Sequence, residues 1–488
     1  MQVPQQNTDL SAFRATVYAT VLGQRKDSLC DLIDAVLTAE AAATLARLSL
    51  APGFRRGWAS VSDALAEGTL NREALRTLLV ASLPQPLLRP PLAPPSPAAP
   101  PVPSRDDLVR PLWVGDASTW PRPEARTSPE RTYCHRVTAG VPQDGIVAGW
   151  EYHWLVAVPE ASGSWVLPLD VTRRAPPPAT KVATGQNATG KNTPTAVVLR
   201  QLRTVLARYP AEALRPVVAL DSNYDPVALA RAQREPAGLA VDVVVRVAAH
   251  RVFFPAPAPY AGRGRPRVHG AVFRGKDPAT HGPPQRTAIT EDPKYGTVVV
   301  RAWTDLHVRQ APDAPFTVVQ VQVGRLPRRE HPPAPLWLAW LGGPLPDDLL
   351  LVWRWYQRRF TVEHGFHFGK ATLGWTTVRP RDPAAADRWT WLLVLVFWQL
   401  WLARPLLADA RLPWEAPRPP DRLSPGRVRR AFAGLLALLG TPARFPTPRG
   451  KSPGRRLGQS PGPAPRCSVV RRTPKRPKRP KKRPAAAA

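Results

Sequence analysis

Pro216-Val-Val-Ala-Leu-Asp221 is a short apolar run that ends in an acidic residue. A run of this length without polar alternation is typical of a strand that is buried on both faces of a sheet. The segment around Ala228 then has helical spacing, and Val241-Asp-Val-Val-Val-Arg-Val247 is a second apolar run. The order strand, helix, strand predicts a sheet covered by helices, with Asp221 at the end of an inner strand.

The residues before this unit add further elements to the same sheet. Three segments have strand character: Leu108–Gly115, which runs into Asp116, Tyr152–Val158 and Trp165–Val171. Pro194 stands where a first helical turn would begin, and Ala196–Leu206 has helical spacing. This order is that of an RNase H-like sheet, in which the first and fourth strands are neighbours. By that analogy Asp116 and Asp221 come together, although they lie 105 positions apart.

A third carboxylate, Glu363, lies in the run Tyr356-Gln-Arg-Arg-Phe-Thr-Val-Glu-His-Gly-Phe-His-Phe-Gly-Lys370. Tyr356, Arg359, Glu363 and Lys370 follow one another at steps of three, four and seven residues. On a continuous helix such steps place side chains along one stripe. The sequence therefore predicts one helix face that carries a carboxylate between two cations.

The same four residues match the Tyr-x2-Arg-x3-Glu-x6-Lys signature, and the run resembles that of bacterial insertion-sequence DDE transposases. Other segments also look like this family: Trp113–Pro123 around the first Asp, Asp221–Asp225 around the second, Leu373–Trp375 and Asp382–Trp391. The resemblance covers most of residues 108 to 410. It implies an α/β fold in which an RNase H-like mixed sheet is flanked by helices, with a β-rich insertion before the last catalytic helix.

The resemblance also implies the site. Asp116, Asp221 and Glu363 would be the catalytic residues and would hold two Mg²⁺ ions, for which Mn²⁺ can substitute. Two such ions, about 4 Å apart, stabilise both the attacking and the leaving oxygen of an in-line phosphoryl transfer. Tyr356, Arg359 and Lys370 would contact DNA phosphates. Asp225 is an alternative second ligand, but it precedes Pro226 and has the pattern of a helix start.

Bulk properties agree with a nucleic-acid partner. The chain has 488 residues, a formal net charge of +32 and an isoelectric point near 11.3. Such a charge attracts polyanions and is too extreme for an ordinary metabolic enzyme. The most apolar run, Trp389–Leu402, is shorter than the roughly 20 residues that cross a bilayer, so a core helix and no membrane partner are expected. The three cysteines, Cys30, Cys134 and Cys467, suit neither a disulfide framework nor a zinc cluster, which favours a cytoplasmic, nucleoid-associated protein.

Composition divides the chain into six parts. The expected organisation is residues 1–83 as a helical domain predicted to bind DNA, 84–107 as a Pro/Ala-rich linker, 108–250 as the first part of the RNase H-like core, 251–345 as a β-strand insertion, 346–410 as the last core helices, and 411–488 as a Pro/Arg/Lys-rich tail, disordered when free from Arg466 onwards. Within the first part, 59–75 is either a helix-turn-helix or two packed core helices.

Three further motifs leave alternatives open. Gly262-Arg-Gly-Arg-Pro-Arg267 resembles an AT-hook core, in which Arg263 and Arg265 would enter the minor groove; a loop that contacts phosphates is the other interpretation. Three tryptophans of the insertion could stack a flipped base or form its core: Trp303, Trp337 and Trp340. Gly185–Lys191 has Walker A spacing, but Asn192 replaces the metal-binding Ser/Thr, so no nucleotide cofactor is expected.

The sequence supports two functions. The first is a transposase that cleaves DNA and transfers strands at the terminal inverted repeats of an insertion sequence into target DNA, as a synaptic homodimer. The alternative is a transposase-derived DNA-binding protein without cleavage activity. An intact set of two aspartates and one glutamate favours the first.

Overall fold

A computed structural model describes residues 5–41, 43–84, 110–135, 145–176, 192–260, 262, 264–327, 331, 333–447, 454, 456–460 and 462–470. Residues 85–109 hold most of the predicted linker and lie outside the described residues. So do the Gly185–Lys191 run and the last part of the basic tail, 471–488.

The described strands are β1 (Leu112–Pro121), β2 (Thr132–His135), β3 (Ile146–Val158), β4 (Leu167–Arg173), β5 (Val217–Leu220), β6 (Asp242–Arg246), β7 (Val252–Phe253), β8 (Phe273–Arg274), β9 (Arg286–Asp292), β10 (Gly296–Val308), β11 (Ala311–Val323) and β12 (Leu336–Leu341). Ten of them form one sheet in the order β2-β3-β1-β5-β6-β12-β11-β10-β9, with β4 also paired to β3. The remaining two, β7 and β8, pair with each other.

The first half of the sheet has the expected order. β1 is antiparallel to β3 and parallel to β5, and β5 is parallel to β6. The resulting order, β4-β3-β1-β5-β6, fits an RNase H-like fold. One expectation was wrong: β1 does not end at Asp116 but continues to Pro121, and β2 adds a strand beside β3 that the sequence did not suggest.

The predicted insertion extends the sheet. β12 pairs antiparallel with β6, and β11, β10 and β9 follow outward. The burial of the three insertion tryptophans contradicts a role in base stacking. The exposed fractions of Trp303, Trp337 and Trp340 are 4%, 3% and 2%. Trp303 and Trp340 donate their indole N–H groups to backbone carbonyls of the insertion. They belong to its core, where burying a large ring requires a partner for its polar atom.

Helices cover the sheet and form the N-terminal part: α1 (Gln5–Thr16), α2 (Lys26–Thr38), α3 (Leu45–Leu48), α4 (Ala59–Glu67), α5 (Arg72–Ala81), α6 (Pro194–Leu206), α7 (Pro226–Arg234), α8 (Leu350–Arg358), α9 (Thr361–His367), α10 (Pro383–Ala403) and α11 (Pro425–Leu439). Pro194 is in the first turn of α6, as predicted. By length and composition Pro383–Leu406 could cross a membrane, and 78% of its most apolar stretch is buried inside the protein.

The two ends of the chain make contacts with the rest of the protein. Within residues 1–83, α1, α2 and α4 pack against α10, and α2 also packs against α11. The region 411–488 is not a tail throughout, because α11 buries Val428 and Phe432. Its later part also makes contacts before the described residues end at Val470: the N–H of Val470 donates to the carbonyl of Arg131, and Val470 pairs with Thr132. Residues 467–470 thus lie beside β2 and the segment before it.

Candidate active site

Asp116 lies in the middle of β1, and its side chain is almost wholly buried. Oδ1 accepts a hydrogen bond from the N–H of Ala117 at 2.7 Å, and Oδ2 is 2.7 Å from Nη1 of Arg359. The preceding Gly115 allows the close packing here, because a Cβ at this position would be 2.6 Å from Leu220 and 3.0 Å from Val198. The sequence thus places a carboxylate on the central strand, where it is held by one backbone donor and one cation.

Asp221 follows β5 directly, as the sequence predicted. The parallel register pairs Gly115 with Leu220, so the next residues, Asp116 and Asp221, lie side by side. The Asp221 carboxylate also organises the turn after the strand, because it accepts from the backbone and side-chain N–H groups of Asn223, both at 2.9 Å. Asp225, the alternative ligand, instead caps α7 by accepting from the N–H of Val227.

Glu363 lies in the first turn of α9 and is exposed. The expectation of one continuous helix from Tyr356 to Lys370 was wrong. α8 ends at Arg358 and α9 begins at Thr361, and a π-helical turn, Phe368–Thr372, follows α9. Tyr356 therefore lies on α8, Glu363 on α9 and Lys370 in the π-helical turn, while Arg359 lies between α8 and α9.

Asp116, Asp221 and Glu363 are close enough for their charges to influence one another. Burial raises the pKa of Asp116 to about 7; the Arg359 guanidinium opposes this, and the charges of Asp221 and Glu363 add to it. The pKa of Arg359 is raised: burial lowers it, but Asp116, Tyr356, Asp221 and Glu363 together outweigh burial. Arg359 thus pairs with Asp116 and is stabilised as a cation by the charges of Asp221 and Glu363.

The other two signature residues are partly buried at the same place. Burial lowers the pKa of Lys370, while Glu363 opposes this change, and Nζ of Lys370 lies 5.7 Å from the centroid of the Trp375 ring. Burial also raises the pKa of Tyr356, whose ring centroid is 5.8 Å from the Arg359 guanidinium. Among the described residues, no contact brings an arginine of the AT-hook-like run to this site. Arg265 is exposed in a loop in which Gly264 has a positive φ, and Arg263 lies outside the described residues.

A series of buried, hydrogen-bonded polar side chains lies near the aspartates, and the sequence analysis did not predict it. Tyr224 is 2% exposed, and its hydroxyl is 3.4 Å from Nδ1 of His153. Nε2 of His153 is 2.9 Å from Glu151, which accepts a hydrogen bond from Arg174. Burial raises the pKa of Tyr224 well above its ordinary value, and the charges of Asp116 and Asp221 add to this shift. The one available signal was the alternation of Glu151 and His153 in an otherwise apolar strand.

The carboxylates fit a divalent cation in donor chemistry, since hard ions such as Mg²⁺ take oxygen ligands and keep several waters. Within the described residues, no group of three or more His, Cys, Asp or Glu side chains is gathered tightly enough to hold a metal ion. Arg359 occupies one oxygen of Asp116, and Asn223 occupies both oxygens of Asp221. Metal binding would require these contacts to rearrange.

Residues 97–309 match the model of a protein family described as DDE superfamily endonuclease. This match supports a DDE-type nuclease. The matched segment contains Asp116 and Asp221 and ends before Glu363. The mixed sheet with its flanking helices fits the RNase H-like fold of a DDE nuclease. Such nucleases act on DNA and generally use divalent metal ions. A comparison with curated proteins finds no match.

Proposed function

We propose that this protein is a DNA transposase that cleaves phosphodiester bonds at the ends of an insertion sequence and transfers the freed strands to target DNA. The observation that carries the proposal is that Arg359 holds the buried Asp116 at 2.7 Å, that Asp221 follows the strand paired with β1, and that the charge of Glu363 acts on both Asp116 and Arg359. Three acidic residues from separate parts of the chain, one of them deeply buried, are costly for folding alone. Such an arrangement is typical of a functional site.

In this proposal the three carboxylates hold two Mg²⁺ ions, for which Mn²⁺ can substitute. Bound ions would stabilise the attacking and leaving oxygens of the phosphodiester. Asp116 and Asp221 offer neighbouring oxygens on the adjacent strands β1 and β5. Glu363 is exposed and can approach them from the helical side. Arg359 would exchange its contact with Asp116 for a DNA phosphate, which a guanidinium binds through two parallel hydrogen bonds.

The partner is double-stranded DNA, both the terminal inverted repeats and the target. The net charge of +32 supports this because a polycation releases counterions when it binds DNA. Tyr356, Arg359 and Lys370 would contact the strand that is cut, and Arg263 and Arg265 would add contacts elsewhere. We further propose a homodimer in the synaptic complex and action in the bacterial cytoplasm.

The direct test uses the purified chain and a duplex that carries the sequences flanking its coding region. We expect nicks at the ends of inverted repeats in the presence of Mg²⁺ or Mn²⁺, products joined to a target plasmid, and no products with a chelator. Binding without cleavage under any metal would overturn the proposal in favour of the alternative, a transposase-derived DNA-binding protein.

Lys370 provides a second test, which distinguishes a cation of the active site from the general positive charge of the protein. Lys370 is partly buried beside Glu363, so its contact with DNA would be made in a dehydrated site, where fixed charge acts strongly on the transition state. We expect Lys370→Ala to lower the single-turnover cleavage rate at saturating DNA by about 10²-fold. Lys478→Ala, which removes the same charge from the tail, should leave this rate unchanged. Equal losses of affinity alone would contradict the role given to Lys370.

A further inference from the structure

A surface cavity of about 470 Å³ lies where β1 ends and the chain after the π-helical turn passes by. Its walls are formed by Pro121–Ala125, Thr376 and Arg379. The cavity has no part in the carboxylate site, and none of its residues belongs to the Tyr-Arg-Glu-Lys signature. Its two arginines, Arg122 and Arg379, determine its chemistry.

Arg122 is a buried cation without a carboxylate partner among the described residues. It is 8% exposed, its Nη1 donates to the carbonyl of Pro380 at 2.7 Å, and its guanidinium lies 5.0 Å from the centroid of the Trp150 ring. Burial and, after it, the neighbouring cations Arg379 and Arg131 lower its pKa to about 10. A buried charge among like charges is unfavourable until an anion joins it.

Other buried arginines show what makes Arg122 different. Arg14 and Arg404 each form an ion pair with a carboxylate. Arg429 has no such partner, but it donates to two backbone carbonyls. Arg122 donates its side chain to a single carbonyl and lines an open cavity.

Arg379 brings a second guanidinium to the same cavity. Its carboxylate partner is Glu124 at 3.5 Å, and the side chains are 73% and 81% exposed. An ion pair this open contributes little and is easily exchanged for another anion. Two guanidinium groups that converge on a cavity, with the hydroxyl of Thr376 on its wall, form a site suited to a phosphate oxyanion.

The cavity also lies on the catalytic face of the sheet. Side chains alternate along a strand, so Asp116, Trp120 and Arg122 point to the same side. Trp375 lies between the two ends of this row, with its ring 6.0 Å from Trp120, and Lys370 stacks over it. Six residues of extended chain cover about 20 Å. That distance equals roughly six base pairs of duplex at 3.4 Å each.

We infer that Arg122, Arg379 and Thr376 form a binding site for one backbone phosphate of the DNA duplex, about six base pairs from the bond that is cut. This inference rests on the proposed function and adds to it a second contact that fixes the register of the DNA on the catalytic face. Phosphate contacts of this kind position a duplex without reading its sequence. Residues 467–470, in the later part of the basic tail, lie against Arg126 and Arg131 at the same edge.

The test measures the affinity of a fluorescein-labelled duplex carrying one flank of the coding region, by anisotropy over a range of salt. We expect Arg379→Ala to weaken binding about tenfold and to reduce the slope of log affinity against log salt by about one. Arg122→Gln should do the same, and Arg379→Ala keeps the test valid if that buried variant fails to fold. Arg309→Ala removes another exposed arginine, from the turn between β10 and β11, and should change neither quantity.

A second measurement locates the contact. Single methylphosphonate linkages, which remove one phosphate charge, should weaken binding of the unmodified protein at one position about six base pairs from the cut. The same linkage should have no effect on Arg379→Ala. If Arg379→Ala behaves like Arg309→Ala while the unmodified protein still cleaves DNA, the inferred site is wrong and the proposed function stands. If the unmodified protein neither binds nor cleaves the duplex, both are wrong.

Discussion

Replacing Asp116, Asp221 or Glu363 by alanine is expected to abolish metal-dependent DNA cleavage and to leave DNA binding almost unchanged. Each carboxylate would supply part of the charge that holds the metal ions, and their loss removes stabilisation from the transition state only. We expect the single-turnover rate to fall by roughly 10³-fold or more, since a single electrostatic contact at such a site is worth about 10²- to 10³-fold. Cleavage rate and duplex affinity are measured on the same preparations.

Asp225→Ala is the matched control, because it removes a neighbouring acidic residue. Its side chain caps α7, and losing a cap costs about 1 kcal/mol of stability without touching the reaction. The variant should therefore cleave at nearly the normal rate. Cleavage that survives Asp221→Ala but is lost in Asp225→Ala would show that the second ligand is misassigned.

The sequence predicted the parts of the site that depend on short-range patterns. A buried strand ending at Asp221 and a helix begun by Asp225 and Pro226 follow from local rules, and both are present. The end of β1 was misjudged because Ser118 and Thr119 continue no clear strand pattern after Asp116, and the pairing with β3 determines where the strand stops. Which strands pair is decided by contacts far apart in sequence.

The helical signature shows a second limit. Spacing alone predicts one regular helix from Tyr356 to Lys370, but at Arg359 and Phe360 the hydrogen bonds tighten to the i+3 pattern while the backbone stays helical, and no proline or glycine predicts this change. The change lies where Arg359 reaches Asp116, so a tertiary contact accompanies the loss of helical regularity. Likewise, the burial of Trp303 and Trp337 depends on how β9 to β12 pack, which periodicity does not reveal.

The N-terminal helices give the second large prediction, which concerns one buried guanidinium. Arg14 of α1 donates to both oxygens of Asp34 on α2, at 2.8 and 3.1 Å. It also donates to Gln399 on the core helix α10 and to the carbonyl of Gly440 after α11. Arg14 and Asp34 are 5% and 1% exposed. One side chain thus links the N-terminal helices to the body that carries the site.

We expect Arg14→Ala to lower the free energy of unfolding by about 3–5 kcal/mol, because it leaves the Asp34 carboxylate buried and unpaired. Urea unfolding, followed by tryptophan fluorescence and by circular dichroism, measures this change. The two signals should coincide in the unmodified protein, as they do when the N-terminal helices and the core unfold together. Removing both charges, in Arg14→Met with Asp34→Leu, should cost much less, since no unpaired ion remains.

Arg47→Ala, at an exposed position of α3, should change the stability by less than about 0.5 kcal/mol. A loss below about 1 kcal/mol for Arg14→Ala would contradict the role given to this ion pair, and separate transitions for the two signals in the unmodified protein would mean that residues 1–83 fold as an independent domain.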